Sequence, residues 1–134
     1  MTSLQQLRAI CLKLPGSIEG DSKGQIGYSV PVKGKHKGFA WSWMERTHPK
    51  KARVPNQRIL AVRVPSLSAK ELLLASDPQK FFTEPHYNGY PAILVRLDEI
   101  GPEELEGLLI EAWMTLADKS LRAEYEAKQQ AGWE

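Results

Sequence analysis

Apolar residues recur at helical spacing near both ends of this chain and at every second position through its middle, and those two periods divide it into elements. Ser3 and Gln6 form a capping-box pair. Leu4, Leu7, Cys11 and Leu14 then follow at helical spacing until Pro15-Gly16 stops the run. From Gln25 the period becomes two: Ile26, Tyr28, Val30 and Val32 alternate with Gln25, Gly27 and Ser29. Phe39, Trp41 and Trp43 alternate with Ala40 and Ser42, and Leu60, Val62 and Val64 with Ile59, Ala61 and Arg63. Three strands of an antiparallel meander follow, with a turn at Lys33–Lys37 centred on Gly34. Phe39, Trp41 and Trp43 share one parity, which places them in the core beneath the helices.

Ser68 and Glu71 predict a second capping box ahead of a short helix through Leu72, Leu73 and Ala75, closed by Asp77-Pro78. Asn88-Gly89 is the dipeptide of a tight hairpin, and Pro85 and Pro91 confine its flanks to short or edge strands. Ala92–Leu97 reads as a strand with Ile93, Val95 and Leu97 on one side and Arg96 on the other. Gly101-Pro102-Glu103-Glu104 opens a helix as the macrodipole favours. Its stripe is Leu105, Leu108, Leu109, Ala112 and Leu116, widened by Trp113. A last helix around Leu121 and Tyr125 is expected to fray into a polar tail over 127–134. The order predicts one two-layer α+β domain over 1–126, its helices packed on one face of an antiparallel sheet.

At 134 residues the chain is long enough to bury roughly two-thirds of its unfolded surface. Its 42% apolar and 25% charged residues are those of an ordinary soluble protein. The single cysteine excludes an internal disulfide and fits a reducing compartment; Cys11 reads as a buried small hydrophobe. Arg8 and Lys13 interrupt the first fifteen residues, which argues against a signal peptide, and no run reaches the ~20 apolar residues of a membrane span. A cytoplasmic protein without membrane contact is the expectation.

Charge changes what this domain can be asked to do. Ten of the eighteen basic side chains lie between residues 23 and 63 against one acid, Glu45, whereas six bases face thirteen acids from Val64 onward. A net charge of +2 therefore hides a strong dipole, and the basic segment attracts polyanions, nucleic acid first.

The run Phe81-Phe82-Thr83-Glu84-Pro85-His86-Tyr87-Asn88-Gly89-Tyr90-Pro91 through Ala92–Leu97, followed by Glu111-Ala112-Trp113 and Leu121, resembles the MmcQ/YjbR family. Leu14-Pro15-Gly16 and the segment from Gly34-Lys35 to Phe39-Ala40-Trp41 fit it too. The likeness covers about residues 4 to 122. It implies a frataxin- or CyaY-like α+β fold and a "double wing" mode of DNA binding. Extra Lys and His residues at 35 to 37 depart from the pattern, as does Asp118 where proline is common.

Two basic turns are the candidate wings: Lys33, Lys35, His36 and Lys37 in one, Arg46, His48, Lys50, Lys51 and Arg53 in the other, with Arg58 and Arg63 on the strand beyond. Successive turns of a meander lie at opposite ends of their shared strand, about 24 Å apart for seven residues. Between them the outer sheet face is expected to show Ser29, Ala40 and Ser42, near Arg63 and Arg96. The expected function is non-enzymatic binding of nucleic acid, DNA ahead of RNA, through phosphate contacts and as a monomer or weak dimer.

Other readings stay open. Trp41 and Trp43 are the right residue types for base stacking. The acidic C-terminal half suits a protein partner, and His86, Tyr87, Tyr90 and Arg96 suit a small-molecule pocket or a general base. Three scattered histidines and one cysteine have no zinc-ligand spacing. Asp98, Glu99, Glu103, Glu104, Glu106 and Glu111 invite iron, but the first helix lacks an acidic ridge, so they read as a solvated face. No cofactor is expected.

Overall fold

A computed structural model describes residues 1–131. Helix α1 (Leu4–Leu12) begins at the expected capping box: the Ser3 hydroxyl accepts from the Gln6 N–H at 3.1 Å, and Gln6 Oε1 accepts from the Ser3 N–H at 2.9 Å. Four strands follow, β1 (Ile18–Ser22), β2 (Gln25–Val32), β3 (Lys35–Glu45) and β4 (Val54–Arg63), then helix α2 (Leu67–Ser76). Strand β5 (Phe81–Phe82), a 3₁₀ turn at Pro85–Tyr87, β6 (Ala92–Arg96), α3 (Pro102–Leu116) and α4 (Lys119–Ala131) complete the fold. The sheet is antiparallel with order β1-β2-β3-β4-β6-β5. This is the two-layer α+β architecture the periodicity predicts.

The helix-side core joins Leu7, Ile10 and Cys11 of α1 to Tyr28, Val30, Leu60, Val62, Ile93 and Val95 of the sheet and to Leu105, Leu109, Ala112 and Trp113 of α3. Trp113 is fully buried, and its indole N–H donates to the Pro15 carbonyl at 2.9 Å, which ties α3 to the turn after α1. Gly16 in that turn has φ +73, and a Cβ there would come within 3.0 Å of Leu121 on α4.

Several local expectations change. Ile18–Ser22 is a strand although all five of its residues are exposed, so it carries no apolar alternation to reveal it. Lys23 (φ 53) and Gly24 (φ 88) make the tight turn into β2. The cap of α2 is Ser66, which accepts from the Ala69 N–H at 3.1 Å, rather than Ser68. Asn88-Gly89 joins no hairpin. With Asn88 at φ −61, ψ 128 and Gly89 at φ +75, closed by the Tyr90 N–H on the Tyr87 carbonyl at 3.0 Å, it is a type II turn, which needs positive φ only at its second central residue. Residues 127–131 continue α4 instead of fraying; 132–134 lie outside the described residues.

The largest correction concerns the tryptophans. Tyr28 pairs with Ala40 but Ser29 pairs with Gly38, so Phe39 is the extra residue of a β-bulge, and Phe39 and Ala40 both enter the helix-side core. Beyond the bulge the parity is inverted. Ala40 and Ser42 face the helices and are buried, while Trp41 and Trp43 lie on the opposite face.

Candidate nucleic-acid interface

On the face away from the helix-side core, Trp43, Ala61 and Leu94 form a second buried cluster, with Trp41, Ile59, Phe82 and Tyr87 packed on it. The type II turn folds the 85–90 segment over this cluster. Trp41 Nε1–H donates to the Tyr87 hydroxyl at 2.7 Å, and the Tyr87 ring lies 5.2 Å from Trp43 and stacks on Tyr90 at 5.5 Å. Burial holds the Tyr87 phenol above its usual pKa, against the lowering effect of the Trp41 hydrogen bond. The indole is thereby locked in one orientation. An aromatic surface fixed in this way loses little rotamer freedom on meeting a planar ligand.

The segment is held from beneath by Lys70 of α2, which is only 5% exposed. Its ammonium donates to the carbonyls of Tyr87 at 2.5 Å and Tyr90 at 2.9 Å, and burial lowers its pKa. Replacement Lys70→Met keeps the volume and removes the charged donor from both carbonyls, leaving each with one backbone partner, the Tyr90 N–H on Tyr87 and the Ala92 N–H on Tyr90. A cost of about 1–3 kcal/mol is expected, together with faster amide exchange at Tyr90 and Ala92. Unchanged exchange there would mean that the aromatic turn holds itself.

Eight of the nine candidate cations fall into three groups. Lys33, at φ 53 in the β2–β3 turn, and Lys35 and Lys37 at the start of β3 are exposed at one end of the sheet. Arg46, Lys50 and Lys51 are exposed at the other end, where Arg46 Nη1 donates to the Pro49 carbonyl at 3.1 Å and ties the loop back on itself. Arg53 donates to the Met44 carbonyl at 2.8 Å and lies over Trp43, 5.4 Å from the ring centroid. Arg63 donates to the Gly38 carbonyl at 3.1 Å and sits 6.0 Å from Trp41. Arg58 goes elsewhere. It pairs with Asp98 at 2.6 Å and donates to the Thr2 carbonyl at 3.1 Å, because it shares the strand parity of Leu60 and Val62, which face the helices, and not that of Ile59 and Ala61 on the open face. Among the described residues none of the other eight is in an ion pair. Strand β3, at eleven residues, is longer than the seven anticipated and sets the two ends about 34 Å apart.

The face between those ends differs from expectation in the same sense as the tryptophans: it shows Trp41 with Arg63 rather than Ala40 and Ser42. Sequence parity missed this because a bulge leaves no mark in residue types. The two tryptophans themselves were the available signal.

The remaining candidates are not assembled. Arg96 stacks on Phe82 at 4.0 Å and donates to the carbonyls of Pro78 and Gln79, each at 3.2 Å, so it is not part of the His86–Tyr87–Tyr90 group. The Cys11 thiol is pushed up by burial, with Glu19 adding to the effect, which disfavours a thiolate. Glu104 is taken by Lys80 at 2.6 Å, and among the described residues no three His, Cys, Asp or Glu side chains converge as metal ligands would. Nor is any described helix long and apolar enough to cross a membrane.

No family model matches the chain. Over 67 residues it is 48% identical to uncharacterised proteins of Mycobacterium bovis (Mb2600) and of two Mycobacterium tuberculosis strains (MT2646 and Rv2570). The match takes in 50% of this chain and 52% of each relative, so the chain spans about half the length of the curated relatives it matches. The crystal structure of Deinococcus radiodurans protein DR2400, a DUF419 domain, superposes with a TM-score of 0.66 at 23% identity, covering 92% of this chain and 88% of that one. The likeness establishes a shared fold.

Proposed function

We propose that this chain is a non-enzymatic nucleic-acid-binding domain of the MmcQ/YjbR kind, with DNA as the first ligand to test. Phosphates meet Lys33, Lys35 and Lys37 at one end of β3 and Arg46, Lys50, Lys51 and Arg53 at the other, and Arg63 serves the ground between. The observation that carries this reading is that eight cations, none in an ion pair among the described residues, flank the sheet face that lies away from α1 and α3. Uncompensated charge at that spacing suits a polyanion that runs along the sheet, and a compact anion would touch only one cluster. The resemblance of residues 81–97 to that family points the same way. Phosphate contacts supply affinity without reading sequence, so specificity is modest.

The test is fluorescence anisotropy with labelled DNA. The triple variant Lys50→Glu/Lys51→Glu/Arg53→Glu is expected to weaken binding at least tenfold, since each reversal replaces attraction with repulsion. Binding that survives it intact removes the β3–β4 loop from the interface. Arg58→Ala is the matched control and is expected to bind as the parent does, because its guanidinium already serves Asp98.

A further inference from the structure

Between the two basic ends the open face is hollowed. An apolar groove of about 490 Å³ lies across β1, β2 and β3, walled by the Trp41 indole on one side and by Ile18, 46% exposed, on the other. Its floor is backbone, because Gly20 pairs directly with Gly27, Gly27 with Trp41, and Ser29 with Gly38. Asp21 at the rim is turned aside, its carboxylate accepting from the Gly24 N–H at 2.9 Å. Glu19, on the other side of β1, is paired with Arg8 at 2.8 Å.

Two of these glycines are not needed by the fold. Neither Gly20 nor Gly27 has positive φ; a Cβ at Gly20 would meet nothing within 4 Å, and one at Gly27 would make an ordinary 3.8 Å contact with Trp41 Cβ. Glycine inside a strand is destabilising relative to a residue with a side chain. What it leaves here is room beside a fixed aromatic ring, and glycine in strands recurs where a ligand approaches the backbone closely. Cations stand around that room. Lys33, Lys35 and Lys37 lie toward one end and Lys23, Lys50 and Lys51 toward the other, while Arg63, over Trp41, keeps N–H donors beyond the one it gives to Gly38.

We propose that this groove receives an unpaired nucleobase against Trp41, so that the ligand of the face is single-stranded nucleic acid. This deepens the phosphate-contact reading and rests on it. A duplex keeps its base faces stacked and can offer the sheet only its backbone. A single strand offers a π-face for the indole and phosphates on either side for the flanking lysines. An apolar peptide side chain would fit the groove but would leave those cations unanswered.

The experiment compares a fluorescein-labelled 12-mer single strand of mixed sequence with the duplex of the same sequence. Wild type is set beside Gly20→Val/Gly27→Ala, Trp41→Ala and Lys33→Glu/Lys35→Glu/Lys37→Glu. The glycine double variant fills the groove while improving strand propensity, so its thermal midpoint should match or exceed that of wild type. The expected result is single-strand preference in wild type, with about tenfold loss in the glycine variant and in Trp41→Ala. Duplex binding should be the same in all three. Equal affinity of the glycine variant and wild type for the single strand overturns base docking, as does a preference for duplex. If the charge-reversed variant also binds like wild type, the phosphate reading beneath it falls; if it alone loses binding, that reading stands and only the base pocket is removed.

Discussion

Raising salt from 50 to 200 mM is expected to weaken DNA binding by this chain about 250- to 1,000-fold, because neutralising about 4 to 6 phosphates releases their condensed counterions and gives a slope of log K against log salt near −4 to −5 on duplex. On a single strand the same contacts give a shallower slope, since its charge density is lower. The number of phosphates follows from placement. Three exposed lysines stand at the β2–β3 end and Lys50 and Lys51 at the other, whereas Arg46, Arg53 and Arg63 already share their guanidinium groups with backbone carbonyls, the last two also with indole rings. A slope shallower than about −1 would mean that at most one phosphate is neutralised, and the two ends of β3 would then not act on one ligand. Removing one cluster should flatten the slope by about its share, and Arg58→Ala should leave it unchanged.

Trp113→Ala is expected to cost about 3–5 kcal/mol, out of the roughly 5–15 kcal/mol that a domain of this kind holds in total. The indole is fully buried between α3 and the sheet, its ring 5.4 Å from Tyr125 of α4, and its N–H satisfies the Pro15 carbonyl. Alanine leaves a cavity and an orphaned acceptor together. Trp113→Phe separates the two: it fills most of the space and should lose only about 1–3 kcal/mol through the unpaired carbonyl. Urea denaturation decides the matter, with a fall in the midpoint at constant slope expected for both variants. A midpoint for Trp113→Ala within experimental error of the parent would show that the turn after α1 and helix α3 do not stabilise one another as described.

How much of this was legible in the sequence depends on which interactions set each feature. The caps of α1 and α3 and the alternation of β4 and β6 are local or strictly periodic, and they appear where the residues place them. The cap of α2 lies two residues earlier than expected because Ser66 and Ser68 are chemically equivalent candidates and only the chain's exit from β4 chooses between them. Strand β1 carries no apolar alternation, so its ladder to β2 alone defines it. The site was half visible. Its charge was plain from composition, but which faces of the sheet carry Trp41 and Ala40 depends on pairing across β2 and β3, and one extra residue at Phe39 reverses it. Arg58 shows the same limit: its commitment to Asp98, forty positions away, is a tertiary fact.

The anchoring of the aromatic turn by Lys70 has a practical corollary. Amine acylating reagents act on accessible, unprotonated lysines; Lys33, Lys35, Lys37, Lys50 and Lys51 are open to them, while Lys70 is shielded by the segment it secures. Mild acetylation of the native protein would discharge both rims of the sheet yet leave its aromatic scaffold bolted down, and so separate adhesion from architecture without altering a codon.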